Sequence, residues 1–206
     1  MNTTCVRSNR SERLVAALVL VLVMGLSAPA SSSETIDPTC QDRRYAWSEN
    51  AGWLNAEPLG DGGPGLAIFE DTVFGWLWSE NLGWISASCT NTDSCATIDF
   101  GLAIDTGTGD LSGWAWGENI GWISLSCSNT SSCATVDYGV HVDLGTGEIS
   151  GWAWSENVGW LSMSCTNGGS CATVDFGPTT QVPLLVHEGL VFADGFECGD
   201  AGSWGP

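Results

Sequence analysis

The chain has 206 residues, of which 24 are acidic and only five are basic, so its formal net charge is −19. Such an acidic surface repels phosphate backbones and anionic headgroups, which excludes nucleic-acid binding and argues against anionic membranes. The 27 glycines would permit disorder, but the 12 tryptophans argue for a folded chain. Each indole buries roughly 150–250 Å² in a folded protein.

The first thirty residues predict a secretory signal peptide. Three arginines lie in residues 7–13, residues 14–26 are apolar or small, and Ala-Pro-Ala at 28–30 fits signal-peptidase cleavage. The apolar run of 13 residues is too short to span a hydrocarbon core as a helix. We expect residues 1–30 to be removed and the mature chain to be secreted, periplasmic or on the cell surface, without stable membrane insertion.

A tryptophan-rich motif then occurs four times, running from an aromatic-small-Trp triplet through Glu-Asn to a Gly-Trp pair. The copies begin at Tyr45, Trp76, Trp114 and Trp152. The step from Trp78 to Trp116 to Trp154 is 38 residues each time, which indicates a tandem array of one structural unit.

The repeat and its flanking composition predict the domain boundaries. We assign residues 31–42 to an N-terminal linker, 43–177 to the repeat domain and 178–206 to a C-terminal tail. The first copy is atypical because it lacks a cysteine loop and has the glycine-rich stretch 60–65 instead. After signal cleavage only two arginines remain against 23 acidic residues, a formal charge of −21.

Alternating apolar and polar residues predict that each unit is all-β. Before the copy that begins at Trp152, Val136, Tyr138, Val140 and Val142 alternate with polar residues, a period typical of a strand. Turn residues follow, then a second strand over 148–154 and a third over 160–165. We therefore predict a disulfide-stapled tandem array of about 38-residue, three-stranded antiparallel units. The period alone leaves open whether the units close into a ring or barrel or stack into a rod.

Eight cysteines follow the signal peptide, and six of them form C-x5-C pairs. Export favours disulfides, and the turn-forming residues between the cysteines favour bonds within each loop. By elimination, Cys40 would then pair with Cys198. A rival arrangement links neighbouring copies. The predicted pairs are Cys89–Cys95, Cys127–Cys133, Cys165–Cys171 and Cys40–Cys198.

The strand periodicity gives each unit an aliphatic face and a tryptophan-serine face. In the third copy Leu111, Ala115 and Ile123 share the aliphatic face, which we predict to be the core. The indoles either pack as a second layer or form exposed platforms for sugar rings; we favour packing, and a mixture stays open. The candidate ligand-binding residues, for an extracellular glycan or envelope component, are Trp78, Trp84, Trp114, Trp116, Trp122, Trp152, Trp154 and Trp160.

Catalytic chemistry has little support in this sequence, and we predict a non-enzymatic protein without a cofactor. His141 is the one unrepeated candidate, and we interpret it as a solvent-facing strand residue. The glutamate-asparagine turns could supply paired carboxylates such as Glu118 and Glu156 to a carbohydrate hydrolase, which is the alternative function. We instead expect these side chains to hydrogen-bond local backbone amides. Weak calcium candidates are Asp105, Asp110, Asp143 and Glu148.

Two stretches resemble known sequence patterns. Residues 113–124 and 151–162 resemble the G-W-A-W-S-E-N-x-G-W-[IL]-S repeat of predicted exported bacterial proteins, and this resemblance covers roughly residues 43–177. Residues 192–200 resemble a C-terminal F-x-D-G-F-E-S-G-D segment of bacterial secreted proteins, with Cys198 in place of the serine. The resemblance implies an exported bacterial protein and brings no activity, cofactor or catalytic residue with it. A purely structural repeat without a ligand is a further alternative.

Overall fold

The computed structural model describes residues 35–58 and 65–184 and is all-β, with eleven strands and three short 3₁₀ turns. The predicted signal peptide, Cys198 and most of the predicted tail lie outside the described residues. Within the described part, no helix is long and apolar enough to cross a membrane. The strands are β1 (Tyr45–Ser48), β2 (Gly52–Asn55), β3 (Leu66–Phe69), β4 (Thr72–Ser79), β5 (Gly83–Ser86), β6 (Leu102–Ile104), β7 (Leu111–Gly117), β8 (Gly121–Ser124), β9 (Val140–Val142), β10 (Ile149–Ser155) and β11 (Gly159–Ser162).

Each copy of the tryptophan motif forms one antiparallel hairpin. We number these hairpins 1 to 4: β1/β2, β4/β5, β7/β8 and β10/β11. The Glu-Asn-x-Gly sequence makes the turn, and its glycine has a positive φ, for example +73° at Gly121. Glycine takes up this left-handed conformation without steric cost, which explains why the turn ends in glycine in every copy.

The four hairpins close into an eight-stranded barrel. Neighbouring hairpins pair through the middle tryptophan of one motif: Trp116 lies opposite Ser86, and Trp154 lies opposite Ser124. The same register joins the ends of the repeat, because Trp47 of hairpin 1 lies opposite Ser162 of hairpin 4. The structure therefore decides between the ring and the rod in favour of a ring.

A shorter tier of strands continues the barrel at one end. Strands β3, β6 and β9 pair with the first halves of β4, β7 and β10, so the predicted three-stranded units are confirmed. Single bridges complete this tier, including Ile36 with Thr180 and Glu148 with Thr179. The segments on either side of the predicted repeat domain thus take part in the sheet.

The first strand of each unit is shorter than predicted. In the unit that contains Trp152 it begins at Val140, and Val136 is 45% exposed. The amide of Val136 donates to the carbonyl of Ser132, so the cysteine loop extends its turns over residues predicted to be extended. The third strand likewise ends at Ser162, three residues before its predicted end.

Glycines let the long strands bend between the two tiers. Gly113 has φ +91°, and a β-carbon there would overlap the carbonyl oxygen of Gly101. The asparagine of the cysteine loop fixes this bend: the side-chain oxygen of Asn129 accepts from the amide of Gly113, and its nitrogen donates to the Gly113 carbonyl at 2.6 Å. Equivalent bonds join Asn91 to Gly75 and Asn167 to Gly151. The cysteine loops are thereby attached to the barrel.

The predicted aliphatic face forms the core, as expected. Leu111, Ala115 and Ile123 are 6%, 2% and 4% exposed. Each hairpin places a pair of facing residues inside the barrel, and in three of the four pairs an alanine of the first strand lies opposite a larger aliphatic residue of the second. These pairs are Ala46/Leu54, Leu77/Ile85, Ala115/Ile123 and Ala153/Leu161. They surround an apolar cavity of about 60 Å³, too small for a sugar residue.

Candidate functional site

Each hairpin carries a cluster of aromatic rings on the outside of the barrel. In hairpin 3, Trp122 lies at the centre, with its ring centroid 4.6 Å from that of Trp116 and 6.3 Å from that of Trp114. Both contacts are tilted or edge-to-face, the arrangement that the indole quadrupole favours. The cluster forms because strand alternation puts the small residue Ala115 inside the barrel and its two flanking indoles outside.

A fourth ring reaches each of three clusters from a cysteine loop. Phe100 lies edge-on to Trp122 with centroids 5.3 Å apart, and Tyr138 lies 5.2 Å from Trp160 in the same way. Phe176 completes the cluster of hairpin 1, at 5.3 Å from Trp53. An aromatic residue near the end of the repeat therefore packs on the first hairpin.

The indoles are partly packed against one another and partly exposed, which is the mixture of the two predicted arrangements. Trp53, Trp116, Trp122 and Trp160 are 37–43% exposed, and the other described tryptophans are half-buried. The rings support one another at their edges while part of their surface stays accessible. This arrangement gives rigid apolar platforms, because a ring that is already packed loses little freedom when a ligand stacks on it.

The platforms of hairpins 2 and 3 face a common groove of about 940 Å³. Hairpin 2 contributes Trp76 and Trp84 to its lining, and hairpin 3 contributes Trp116 and Trp122. Phe100, which packs against Trp122, also lines it. Polar groups are interspersed with the rings. They are the hydroxyls of Thr92, Ser94 and Thr97, the carboxylate of Glu118 and the amide of Asn119. Ser86 also lines the groove, but its buried hydroxyl donates to the Ser88 carbonyl.

The groove has the size and chemical mixture of a small-ligand site. Pockets of this kind are mostly apolar, with a few polar groups that orient the ligand. Aromatic rings interleaved with hydroxyl, carboxylate and amide groups suit a molecule that has both apolar C–H faces and hydroxyls. The net charge of −19 disfavours an anionic ligand.

Three of the eight candidate tryptophans line this groove. Trp84, Trp116 and Trp122 line it, and Trp78 is not among its lining residues. The other candidates, which lie in hairpins 3 and 4, are Trp114, Trp152, Trp154 and Trp160. Sequence reasoning missed Trp76 and Phe100, although Trp76 is the 38-residue counterpart of the predicted Trp114.

The asparagines of the turns hold neighbouring hairpins together, which corrects the expectation of local bonding. The Asn119 side chain donates to the carbonyl of Leu82 at 2.9 Å, and that of Asn157 donates to Ile120 at 2.8 Å. The full ring of bonds is Asn50 to Val158, Asn81 to Ala51, Asn119 to Leu82 and Asn157 to Ile120. Sequence periodicity could not show this because each acceptor lies in the preceding hairpin.

The glutamates next to these asparagines are exposed. Glu118 lines the groove, whereas Glu156, the other carboxylate of the hydrolase alternative, is not among the lining residues. The two glutamates lie in turns of different hairpins, so this groove does not bring them together.

The structure confirms the disulfides within the loops. Cys89–Cys95, Cys127–Cys133 and Cys165–Cys171 are bonded, so the rival arrangement between copies is wrong for these six cysteines. An aspartate lies near each of these pairs, but oxidised sulfurs are not thiolate ligands for a metal. Cys40 is also disulfide-bonded. Because Cys198 lies outside the described residues, its pairing with Cys40 stays a prediction.

The calcium candidates each have partners within the chain. One carboxylate oxygen of Asp143 accepts from the amides of Gly145 and Thr146, and these bonds lower the pKa of Asp143. Asp105 makes the equivalent turn with the amides of Gly107 and Thr108. These contacts are those of a tight turn.

The other two candidate carboxylates face basic side chains. Asp110 lies 3.0 Å from Nδ1 of His141, and this hydrogen bond is the main cause of the lowered pKa of Asp110. Glu148 lies 3.6 Å from the Arg43 guanidinium. His141 is partly exposed on β9, and among the described contacts its partner is this carboxylate, an arrangement that gives no nucleophile-base pair.

No protein-family model, curated protein or solved structure matches this chain. The resemblance to exported bacterial repeats therefore stays a prediction, and the function has to be argued from the groove itself.

Proposed function

We propose that this protein is an exported, non-catalytic module that binds a neutral glycan in the aromatic groove between its hairpins. The observation that supports this proposal is the groove between hairpins 2 and 3. It presents four indoles and one phenyl ring beside hydroxyl, carboxylate and amide groups. Sugar rings offer apolar C–H faces for the indoles and hydroxyls for the polar groups, so one ligand class uses both parts of the lining.

The charge of the protein supports a neutral ligand over an acidic one. Only Arg43 and Arg44 oppose 23 acidic residues after residue 30, so an acidic polysaccharide would be repelled. Both arginines already lie beside carboxylates, Asp175 at 3.0 Å and Asp42 at 2.9 Å. Neither is left to attract an anionic ligand.

Export is supported by the cysteine chemistry and by the N-terminal sequence. The three intraloop disulfides are of the kind that persists in oxidising compartments. Glycans of cell walls and extracellular matrices are found in such compartments. The proposed site of action is therefore the periplasm, the cell surface or the surrounding medium.

Intrinsic fluorescence tests this proposal directly. We expect a neutral hexasaccharide from a panel of glucans, xylan, mannan and chitin to shift the indole emission and to protect it from iodide quenching. The variant Trp122→Ala removes a ring at the centre of one cluster, and we expect binding at least about twofold weaker, given 0.5–1.5 kcal/mol for an aromatic contact.

The matched control is Trp78→Ala, which removes an indole of the same motif that does not line this groove. Circular dichroism and disulfide mapping establish that both variants are folded. A flat titration across the whole panel, or equal weakening by both variants, would contradict the proposal.

One observation favours a second candidate, a purely architectural repeat without a ligand. The indoles satisfy much of their contact area with one another, as in the 4.7 Å contact between Trp154 and Trp160. Under this alternative glycans leave the fluorescence unchanged, whereas Trp122→Ala still lowers the stability of the fold.

A further inference from the structure

The groove between hairpins 2 and 3 is lined by residues that have two sets of counterparts around the barrel. Each of its lining residues has an equivalent 38 positions later, between hairpins 3 and 4. A third set lies where hairpin 4 meets hairpin 1. The aromatic members of the first groove are Trp76, Trp84, Phe100, Trp116 and Trp122; those of the second are Trp114, Trp122, Tyr138, Trp154 and Trp160; those of the third are Trp152, Trp160, Phe176, Trp47 and Trp53.

The geometry of the three aromatic sets is the same. The contact between the loop ring and the last indole is 5.3 Å at Phe100, 5.2 Å at Tyr138 and 5.3 Å at Phe176. These contacts are all edge-on, with interplanar angles of 78°, 76° and 80°. The third set is as regular as the others although its two halves come from opposite ends of the repeat.

The rims of the three sets are also equivalent. Ile98, which lines the first groove, is 53% exposed, and its counterparts Val136 and Val174 are each 45% exposed. Isolated apolar residues are common on surfaces, but here the same position beside an exposed indole is apolar three times. Each of the three rims therefore offers the same apolar contact to a ligand.

The fourth junction, between hairpins 1 and 2, is built differently. The sequence between β2 and β3 contains no cysteine pair and no Asp-aromatic-Gly segment like those at Phe100, Tyr138 and Phe176. The loop that supplies hydroxyls, an apolar rim and a fourth ring to the other junctions thus has no counterpart there. The lining residues are therefore repeated at three of the four junctions between hairpins.

We infer that one chain has three equivalent glycan sites, a quarter turn apart in succession, and that it cross-links neutral polysaccharide chains. This inference rests on the proposed function and specifies its valency. Sites on successive sides of a barrel face different directions, so one extended polymer cannot follow all three. Linked sites raise the overall affinity for a polymer far above that for a short oligosaccharide.

Native mass spectrometry counts the sites. The probe is the neutral hexasaccharide that gives the largest fluorescence change, titrated against the whole chain to saturation. Three bound hexasaccharides are expected, and the polymer of the same linkage should form a turbid precipitate with the protein. One bound hexasaccharide would overturn the inference but keep the proposed function, whereas no binding by any panel member would overturn both.

Single-site variants test the equivalence of the grooves. Trp47, Trp116 and Trp154 each belong to one of the three grooves, so each change to alanine should weaken one site at least about twofold and lower the number of hexasaccharides bound below saturation. Trp78 occupies the same motif position at the junction without a cysteine loop, so Trp78→Ala should keep the count at three. Loss of one hexasaccharide in Trp78→Ala, or four in the unmodified protein, would overturn the assignment of three sites.

A second set of variants guards against misfolding of the tryptophan variants. Ile98→Arg, Val136→Arg and Val174→Arg add a bulky side chain at an exposed rim and remove no ring contact. Each should lower the count by one, and the triple variant should no longer precipitate the polymer. An unchanged count in all three, with the fold intact, would contradict the location of the sites.

Discussion

The junction between hairpins 2 and 3 and the junction between hairpins 4 and 1 are built from the same contacts, although the first joins hairpins that follow one another in the chain and the second joins the two ends of the repeat. Asn119 donates to Leu82 at the first junction, and Asn50 donates to Val158 across 108 residues at the second. Both bonds are 2.9 Å long. The comparison shows that closing the barrel repeats the internal contact, so the repeat specifies a ring once its ends can meet.

The closing junction differs in one respect, because it has contacts that the internal junction lacks. Arg43 lies 3.0 Å from Asp175 and 3.6 Å from Glu148, and Thr35 and Thr180 are hydrogen-bonded at 2.8 Å. Bringing distant residues together costs loop-closure entropy. These additional contacts lie at the junction between the two ends of the repeat, where the entropic cost of loop closure is highest.

The largest effects are expected at two glycines that occupy equivalent positions at an internal and at the closing junction. A β-carbon at Gly109 would overlap the carbonyl oxygen of Val142, and one at Gly147 would overlap that of Thr180. Both glycines have positive φ, +86° and +78°. We expect Gly109→Ala and Gly147→Ala each to lower the free energy of unfolding by about 3 kcal/mol or more.

Urea denaturation followed by tryptophan fluorescence measures this loss. Gly168→Ala is the control, since a β-carbon there meets no atom within 4 Å, and its change should stay within about 0.5 kcal/mol. A large effect at Gly109 with none at Gly147 would show that the closing junction is not formed in solution.

Removing the asparagine hydrogen bonds between hairpins should lower the free energy of unfolding by an intermediate amount. Asn119→Ala and Asn50→Ala each remove one side-chain donor to a carbonyl of the preceding hairpin in the ring, with an expected loss of about 1 kcal/mol. Glu118→Gln, beside Asn119 in an exposed turn, is the control and should leave the midpoint of urea unfolding unchanged. If Asn50→Ala costs nothing while Asn119→Ala does, the two junctions are not equivalent.

Arg43 tests what is special about the closing junction. We expect Arg43→Gln to lower the free energy of unfolding by about 0.5 kcal/mol at low salt, since partly exposed ion pairs contribute little. The difference should shrink in 1 M NaCl, where the screening length falls to about 3 Å. A difference that is independent of salt would assign the role of Arg43 to packing instead of charge.

The smallest expected effect concerns the unrepeated histidine. The hydrogen bond from His141 lowers the pKa of Asp110 below its ordinary value of 3.8. A lowered pKa in the folded state stabilises the fold above the unfolded pKa, and this contribution is lost as the pH falls through the folded value. The difference in unfolding free energy between the unmodified protein and Asp110→Asn should therefore be present at pH 5 and shrink as the pH falls below 3.8.

Urea midpoints measured from pH 5 to pH 2 check this dependence. Glu156→Gln, in an exposed turn, serves as the control and should follow the unmodified protein throughout. A difference for Asp110→Asn that stays constant from pH 5 to pH 2 would show that the pair does not contribute through its charge.

The local design of this protein could be predicted from the sequence, because it depends on short-range chemistry. Alternating residues determined the aliphatic face at Ala115 and Ile123, glycine determined the turns, and the C-x5-C spacing with turn formers between determined three disulfides. Each of these features needs only neighbours within one unit. The candidate tryptophans followed from the same periodicity, although Trp76 and Phe100 were missed.

Only the tertiary structure decided that the units form a ring, because closure depends on how far each hairpin turns relative to the last, and a period of 38 residues contains no such angle. The same reason explains why Asn50 bonds Val158, why Phe176 packs on Trp53, and why the indoles are only partly exposed to solvent. Those contacts join residues that are remote in the chain, and they exist only once the sheet has curved back on itself.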